Sequence, residues 1–304
     1  MTRAATPYGA ADGLVRVYPA SSEGRTAADD ATRRPSAGLV WAHGGGFSAG
    51  DLDMPEADWV ARSLAERGIT VVSVDYRLAS AEHDNHYPAG SDDVLAAWSW
   101  TLDHAGELGI DPVRLAMGGA SAGANLVTGA VLRLLGVDER PTPDDASRNA
   151  PTDALPAGVF LAYPTLLAVQ PAPDAALRAL LDANPAADRF DPETVRRMYE
   201  TYLGGPVDDA PLPAVPGRAA ASDLAGFPPV LMINGEADEL RVSGELFAVT
   251  LAEAGVPLEL VVEPGTEHGH LNRPDEPAAS ASIDRVVRWL ATLTTLRITE
   301  GISS

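Results

Sequence analysis

Arg114-Leu-Ala-Met-Gly-Gly119-Ala120-Ser121-Ala122-Gly123 is the stretch that decides the fold. Arg114 to Met117 reads as a buried strand, and Ala122 to Leu135 reads as a helix. Between them a serine sits in a G-x-S-x-G frame. A sharp strand-to-helix turn needs that frame: Gly119 and Gly123 stand where side chains would collide, and Ser121 is presented at the end of a strand.

Outward from this turn the same alternation repeats. Leu39 to Ala42, Ile69 to Val74, Val159 to Tyr163, Val230 to Ile233 and Leu258 to Val262 read as further strands. Several are apolar on both faces, as parallel strands covered by helices are. Leu14 to Tyr18 alternates and reads as an outer antiparallel strand. Helical patterns lie at Asp58 to Glu66, Ser91 to Leu108, Gly244 to Ala254 and Ser282 to Leu293. In the second of these, Ser91 is the expected N-cap, with Val94, Leu95, Trp98 and Leu102 along one stripe. The expectation is an α/β fold with a largely parallel sheet. Two regions interrupt the rhythm. Asp138 to Leu155 reads as an exposed loop rich in Pro, Asp, Thr and Ala. Gln170 to Gly217 is too long for a simple crossover and contains two helical pieces, Asp174 to Asp182 and Pro192 to Tyr202. It is expected to be an insertion over the C-terminal edge of the sheet, where ligands bind in such folds.

The run His43-Gly44-Gly45-Gly46-Phe47 follows the strand Leu39 to Ala42 and offers bare backbone N–H groups to an oxyanion. Ala122, at the start of a helix, would add a third N–H. The oxyanion donors are therefore expected at Gly45, Gly46 and Ala122. A serine hydroxyl is a weak nucleophile and needs a base. Among the six histidines, His43 reads as a brace for the glycine loop, and His83, His86 and His104 read as solvated or structural. His268 and His270 follow the last strand, on the same sheet edge as Ser121. His268 is preferred, because Gly269 leaves room around it. The orienting acid should come from the loop after Val230 to Ile233. Asp238 is the expected residue, with Glu236 and Glu239 as rivals. Asp51, Asp53, Asp75, Asp92 and Asp93 precede the serine and read as structural.

Composition excludes other classes. The 304 residues carry 22 Lys and Arg against 43 Asp and Glu, a formal net charge of −21, which disfavours nucleic acid and anionic membrane surfaces. There is no cysteine, so no disulfide, thiolate metal site or cysteine nucleophile exists. The two downstream histidines lack a clear third ligand, and no metal is expected. No apolar run approaches the length of a membrane span, and no secretory h-region is visible, so the expected location is cytoplasmic.

With these residues in hand, the chain resembles the hormone-sensitive-lipase-like bacterial carboxylesterases among the α/β-hydrolases. The resemblance covers about residues 39 to 293. It rests on His43-Gly-Gly-Gly-Phe47, Asp75-Tyr-Arg-Leu78, Pro88-Ala89 ahead of Asp92, Asp111-Pro-Val-Arg-Leu115 and the serine turn. Downstream it includes Asp223-Leu-Ala-Gly-Phe-Pro-Pro229, Gly235-Glu-Ala-Asp-Glu-Leu-Arg241 and His268-Gly269. It implies an α/β-hydrolase fold of about eight strands under a small helical cap, serine esterase activity on small ester substrates, and no cofactor. It also carries the triad onto Ser121, Asp238 and His268, and the oxyanion donors onto Gly45, Gly46 and Ala122. Residues 1–304 then form one catalytic domain with a cap at 170–217, which residues 1–13 are candidates to complete. The chain departs from the family pattern at Ala120 and Ala124, usually Asp and Gly, and at His270, usually an aromatic. Ser80 to Tyr87 is more polar than the family's proline-rich version. The same triad could serve amide, lactone or carbamate cleavage or acyl transfer, and the scaffold could bind a ligand without turnover. A homodimer through an edge strand is a further expectation.

Overall fold

The structure is a computed structural model; it describes residues 6–21, 35–137 and 155–300, the last seven of these by backbone only. Eight strands form one sheet: β1 (Tyr8–Ala10), β2 (Val15–Tyr18), β3 (Ser36–Ala42), β4 (Thr70–Val74), β5 (Ile110–Ala120), β6 (Val159–Ala162), β7 (Val230–Ala237) and β8 (Leu258–Glu267). Their order is β1-β2-β4-β3-β5-β6-β7-β8. Pairing is parallel from β4 to β8 and antiparallel at β1 and β2. This is the doubly covered sheet that two-sided apolar strands require. On β3, Leu39 and Trp41 pack with one layer while Val40 and Ala42 pack with the other.

Among the described residues seven α-helices accompany the sheet: α1 (Pro55–Glu66), α2 (Ala89–Asp103), α3 (Ala122–Leu134), α4 (Ala175–Ala183), α5 (Pro192–Leu203), α6 (Arg241–Glu253) and α7 (Pro277–Glu300). Val60, Leu64, Ile283 and Val286 place α1 and α7 on one face. Val94, Trp98, Leu126, Val131, Phe247 and Leu251 place α2, α3 and α6 on the other. Among the described residues no helix is long and apolar enough to cross a membrane.

The differences from the sequence expectations have local causes. Ser91 is not an N-cap. Helix α2 starts two residues earlier, directly after Pro88, and Ser91 is buried inside the first turn, where its hydroxyl accepts from Arg133 Nη1 at 2.9 Å. The helix ends at Asp103 rather than Leu108, ahead of Gly106 and of Gly109 at φ +66°. Helix α1 begins at Pro55, whose fixed φ suits a first helical position. The segment before Leu14 supplies a strand, β1, that its short polar sequence did not reveal. Most of the loop read at Asp138 to Leu155 lies outside the described residues.

Candidate active site

Ser121 stands between β5 and α3 with φ +52° and ψ −115°, a conformation that non-glycine residues rarely adopt. Its N–H donates to Ala162 O at 2.9 Å, tying the turn to the neighbouring strand. The flanking glycines are required by contact. A Cβ on Gly119 would lie 2.4 Å from the Gly123 carbonyl, and a Cβ on Gly123 would lie 2.2 Å from Ala42 O. Residues 119 and 123 therefore have no room for any side chain.

Asp238 follows β7 and His268 follows β8, so the parallel sheet delivers both beside Ser121. Ser121 Oγ–H donates to His268 Nε2 at 2.9 Å, and His268 Nδ1–H donates to Asp238 Oδ2 at 2.8 Å. The roles follow from Asp238, which as a carboxylate can only accept and so holds the ring proton on Nδ1. Its other oxygen, Oδ1, accepts the Leu240 N–H at 2.9 Å. Asp238 is fully buried; Ser121 and His268 are 7% and 8% exposed. The arrangement is a base-activated hydroxyl with an outlet to solvent, suited to nucleophilic attack on an acyl group.

The glycine run turns beneath this group. Gly45 has φ +123° and Gly46 φ +59°, and a Cβ on Gly45 would lie 1.9 Å from Ala49 O. His43 is buried, stacks on Tyr76 at 4.5 Å and donates from Nδ1 to Gly44 O at 2.6 Å. It thus sits as a brace within the loop. Ala122 opens α3, where first-turn N–H groups lack helical partners.

The other candidates have partners elsewhere. Glu236 Oε2 accepts the Gly265 N–H at 2.8 Å. Glu239 accepts the Phe190 N–H, and burial holds its carboxyl above the ordinary range. His86 Nδ1 donates to Thr201 O and His104 Nδ1 to Trp100 O. Asp51 accepts from the N–H groups of Asp53 and Met54; Asp53, Asp92 and Asp93 pair with Arg16, Arg133 and Arg77.

The insertion comes close to these groups. Asp174 and Asp191 cap α4 and α5 by accepting N–H groups of the first turns. The Phe190 ring meets the His268 ring edge-on at 4.7 Å, and Arg189 donates to His268 O at 3.3 Å. A Cβ on Gly46 would lie 3.2 Å from Met198 Sδ. Tyr199 and Tyr202, which the sequence reading did not single out, pack on Phe47 at 5.2 and 4.0 Å, and Tyr199 Oη accepts from Asn125 Nδ2 at 2.9 Å. Their signal was present: with Val195 they form the buried stripe of α5 at helical spacing.

Residues 39–272 match the family described as the alpha/beta hydrolase fold. The chain is 38% identical over 240 residues to Carboxylesterase NlhH of Mycobacterium tuberculosis, covering 77% of this chain and 66% of that relative. The chain belongs to the α/β-hydrolase family. It is also 32% identical over 242 residues to Ethyl acetate hydrolase of Pseudomonas putida, covering 76% of this chain and 65% of the relative. It therefore spans about two thirds of the length of these curated relatives. A solved α/β-hydrolase, brefeldin A esterase, described as a bacterial homologue of human hormone sensitive lipase, superposes with a TM-score of 0.70 at 26% identity, over 96% of this chain and 76% of that one. These similarities place the α/β-hydrolase chain in the hormone-sensitive-lipase-like branch.

His270, two residues beyond His268, has a measurable consequence for stability. His270 is buried, with Nε2 2.9 Å from Ser282 Oγ and Nδ1 without a hydrogen-bond partner among the described residues. Burial, and then the neighbouring His268, push its pKa down from 6.5 to about 4. Between those values the unfolded chain binds a proton that the folded chain refuses, so stability falls as pH drops from about 6.5 to 4. The loss attributable to His270 is on the order of 3 kcal/mol. His270→Phe should flatten this part of the stability curve, measured by urea unfolding at stepped pH. Parallel curves for variant and wild type would remove His270 as the cause.

Proposed function

We propose that this chain is a serine carboxylesterase acting on short-chain or otherwise small acyl esters. Ser121 is the nucleophile, His268 the general base and acid, and Asp238 the orienting acid. The N–H groups of Gly45, Gly46 and Ala122 bind the oxyanion. The observation that carries the reading is the unbroken hydrogen-bonded chain from Ser121 Oγ through His268 to Asp238. In the first half-reaction Ser121 Oγ attacks the ester carbonyl carbon while its proton passes to His268 Nε2. The carbonyl π pair becomes an oxyanion. It collapses, the ester C–O bond breaks, and the leaving alkoxide takes the proton from Nε2. In the second half, water attacks the acyl-serine, giving its proton to Nε2. Collapse then returns that proton to Ser121 Oγ and releases the acid.

Support for a small acyl group comes from the insertion, residues 170–217, which we read as a cap. Phe190 against His268 and Met198 beside Gly46 put apolar walls near the reacting groups. The name of one relative, Ethyl acetate hydrolase, refers to a two-carbon acyl ester. Each methylene contributes about 0.8 kcal/mol only while there is room to bury it. Specificity, as kcat/KM on p-nitrophenyl esters, should rise from acetyl to butyryl or hexanoyl and then fall. A maximum at about twelve carbons or longer, with activation above the critical micelle concentration, would refute the small-pocket reading. Amides and lactones in the same panel test whether esters are the preferred acyl class.

The proposal extends to a cytoplasmic location and to a homodimer across an edge strand. Strand β8 ends the sheet and carries the exposed Leu260, and α6 exposes Leu246 and Val249. Light scattering of the purified protein, and fractionation of the cells that make it, test these two points.

A further inference from the structure

One buried carboxylate near the site has no part in the mechanism above. Glu56, the second residue of α1, is 1% exposed, and no ion pair to it is found among the described residues. A charge withdrawn from water needs compensating hydrogen bonds. Glu56 Oε1 accepts the Gly44 N–H at 2.5 Å. Oε2 accepts the Tyr163 O–H at 2.5 Å and an Asn272 Nδ2–H at 3.0 Å. Its backbone N–H donates to Asn272 Oδ1 at 3.2 Å, and its carbonyl accepts from Trp41 Nε1 at 2.9 Å.

These partners come from three loops that leave the same edge of the sheet. Gly44 follows β3 and opens the glycine run. Tyr163 follows β6, and Asn272 lies four residues beyond His268. Gly44 is not in the left-handed region, unlike Gly45 and Gly46. What forbids a side chain there is contact: a Cβ would lie 2.6 Å from Glu56 Oε1 and 3.1 Å from Ser121 Cβ. Tyr163 holds φ +35°, and its ring meets both His268 and His270 edge-on, at 5.0 and 5.1 Å. Burial, and then the Glu56 charge, keep its hydroxyl well above the usual phenol range, so it remains a donor.

We propose that Glu56 is a positioning residue for the reaction, whose carboxylate fixes the oxyanion loop against the loop that carries His268. The inference rests on the serine-esterase reading. A carboxylate is the right group, because all three side-on partners are donors and both of its oxygens accept. A glutamine in its place would turn N–H groups toward a donor on one side. Donors already fixed where charge develops stabilise the transition state without reorganising, so their misplacement lowers kcat more than it raises KM.

The test compares Glu56→Gln, Tyr163→Phe, the double variant and Ser121→Ala. Circular dichroism and unfolding midpoints select the folded proteins. Glu56→Gln should lower kcat about 10²-fold with KM within about threefold. Affinity for a trifluoromethyl ketone, which forms an oxyanion on the serine, should fall by the same factor as kcat. Tyr163→Phe keeps the ring beside His268 and should lose about tenfold in kcat, and the double variant should lose no more than Glu56→Gln alone. If Glu56→Gln does not fold, Tyr163→Phe carries the test alone. Wild-type kcat and ketone affinity in the folded variants, or a rise in KM with kcat unchanged, would overturn the positioning role. Turnover retained in Ser121→Ala would instead overturn the esterase reading beneath it.

Discussion

Ser121→Ala is expected to lower kcat on the order of 10⁶-fold while leaving the fold and substrate binding intact. The change removes one oxygen, the atom 2.9 Å from His268 Nε2. Ser121 is 7% exposed at a turn fixed by the Gly119 and Gly123 contacts, so alanine inherits the same backbone path. Its N–H bond to Ala162 O is untouched. The loss should therefore fall on turnover and not on stability. The direct measurement is intact-protein and peptide mass spectrometry after an organophosphonate. One adduct at Ser121, with activity lost in step with labelling, is the expected result. Labelling at another residue with activity retained would remove Ser121 as the nucleophile.

The fold was legible in the sequence wherever burial wrote a pattern into it. The two-sided apolar runs Leu39 to Ala42 and Val230 to Ile233 read as strands covered on both faces, and they are part of β3 and the start of β7. The serine turn was legible because its glycines stand at a fixed spacing around the serine, although only Gly119 is constrained locally, by Gly123, while Gly123 is constrained by Ala42 across the sheet edge. Strand β1 was not, because a three-residue edge strand carries little apolar signal: Tyr8 is 48% exposed. The start of α2 was misread through Ser91, since serine at an N-cap and serine buried against an arginine look alike in sequence. Glu56 was hidden for the opposite reason. Its partners Gly44, Tyr163 and Asn272 are 12, 107 and 216 residues away, and only the folded sheet edge brings them together. An acidic residue in a helix's first turn ordinarily faces water and the helix dipole, and nothing local distinguishes this one.

The choice of acid is open to an equally sharp measurement. Asp238→Asn should reduce kcat on the order of 10⁴-fold with little change in KM. Both carboxylate oxygens are engaged by donors: Oδ2 by His268 Nδ1–H at 2.8 Å and Oδ1 by the Leu240 N–H at 2.9 Å. An asparagine can satisfy only one of them with its oxygen. If that oxygen keeps the Leu240 N–H, the amide N–H₂ faces Nδ1, which must then give up its proton. The ring proton moves to Nε2, and the histidine no longer accepts from Ser121. If the amide flips, its N–H₂ meets the Leu240 N–H, a donor against a donor at a side chain that is fully buried. The first orientation costs less and removes the base. Glu236 and Glu239 make no such contact: one holds the Gly265 N–H and the other the Phe190 N–H. Glu236→Gln should accordingly leave kcat within about threefold of wild type, since it touches neither the nucleophile nor the base. A crippled Glu236→Gln beside a mild Asp238→Asn would show that the orienting acid is the earlier carboxylate, and that the buried contact between Asp238 and His268 serves stability instead.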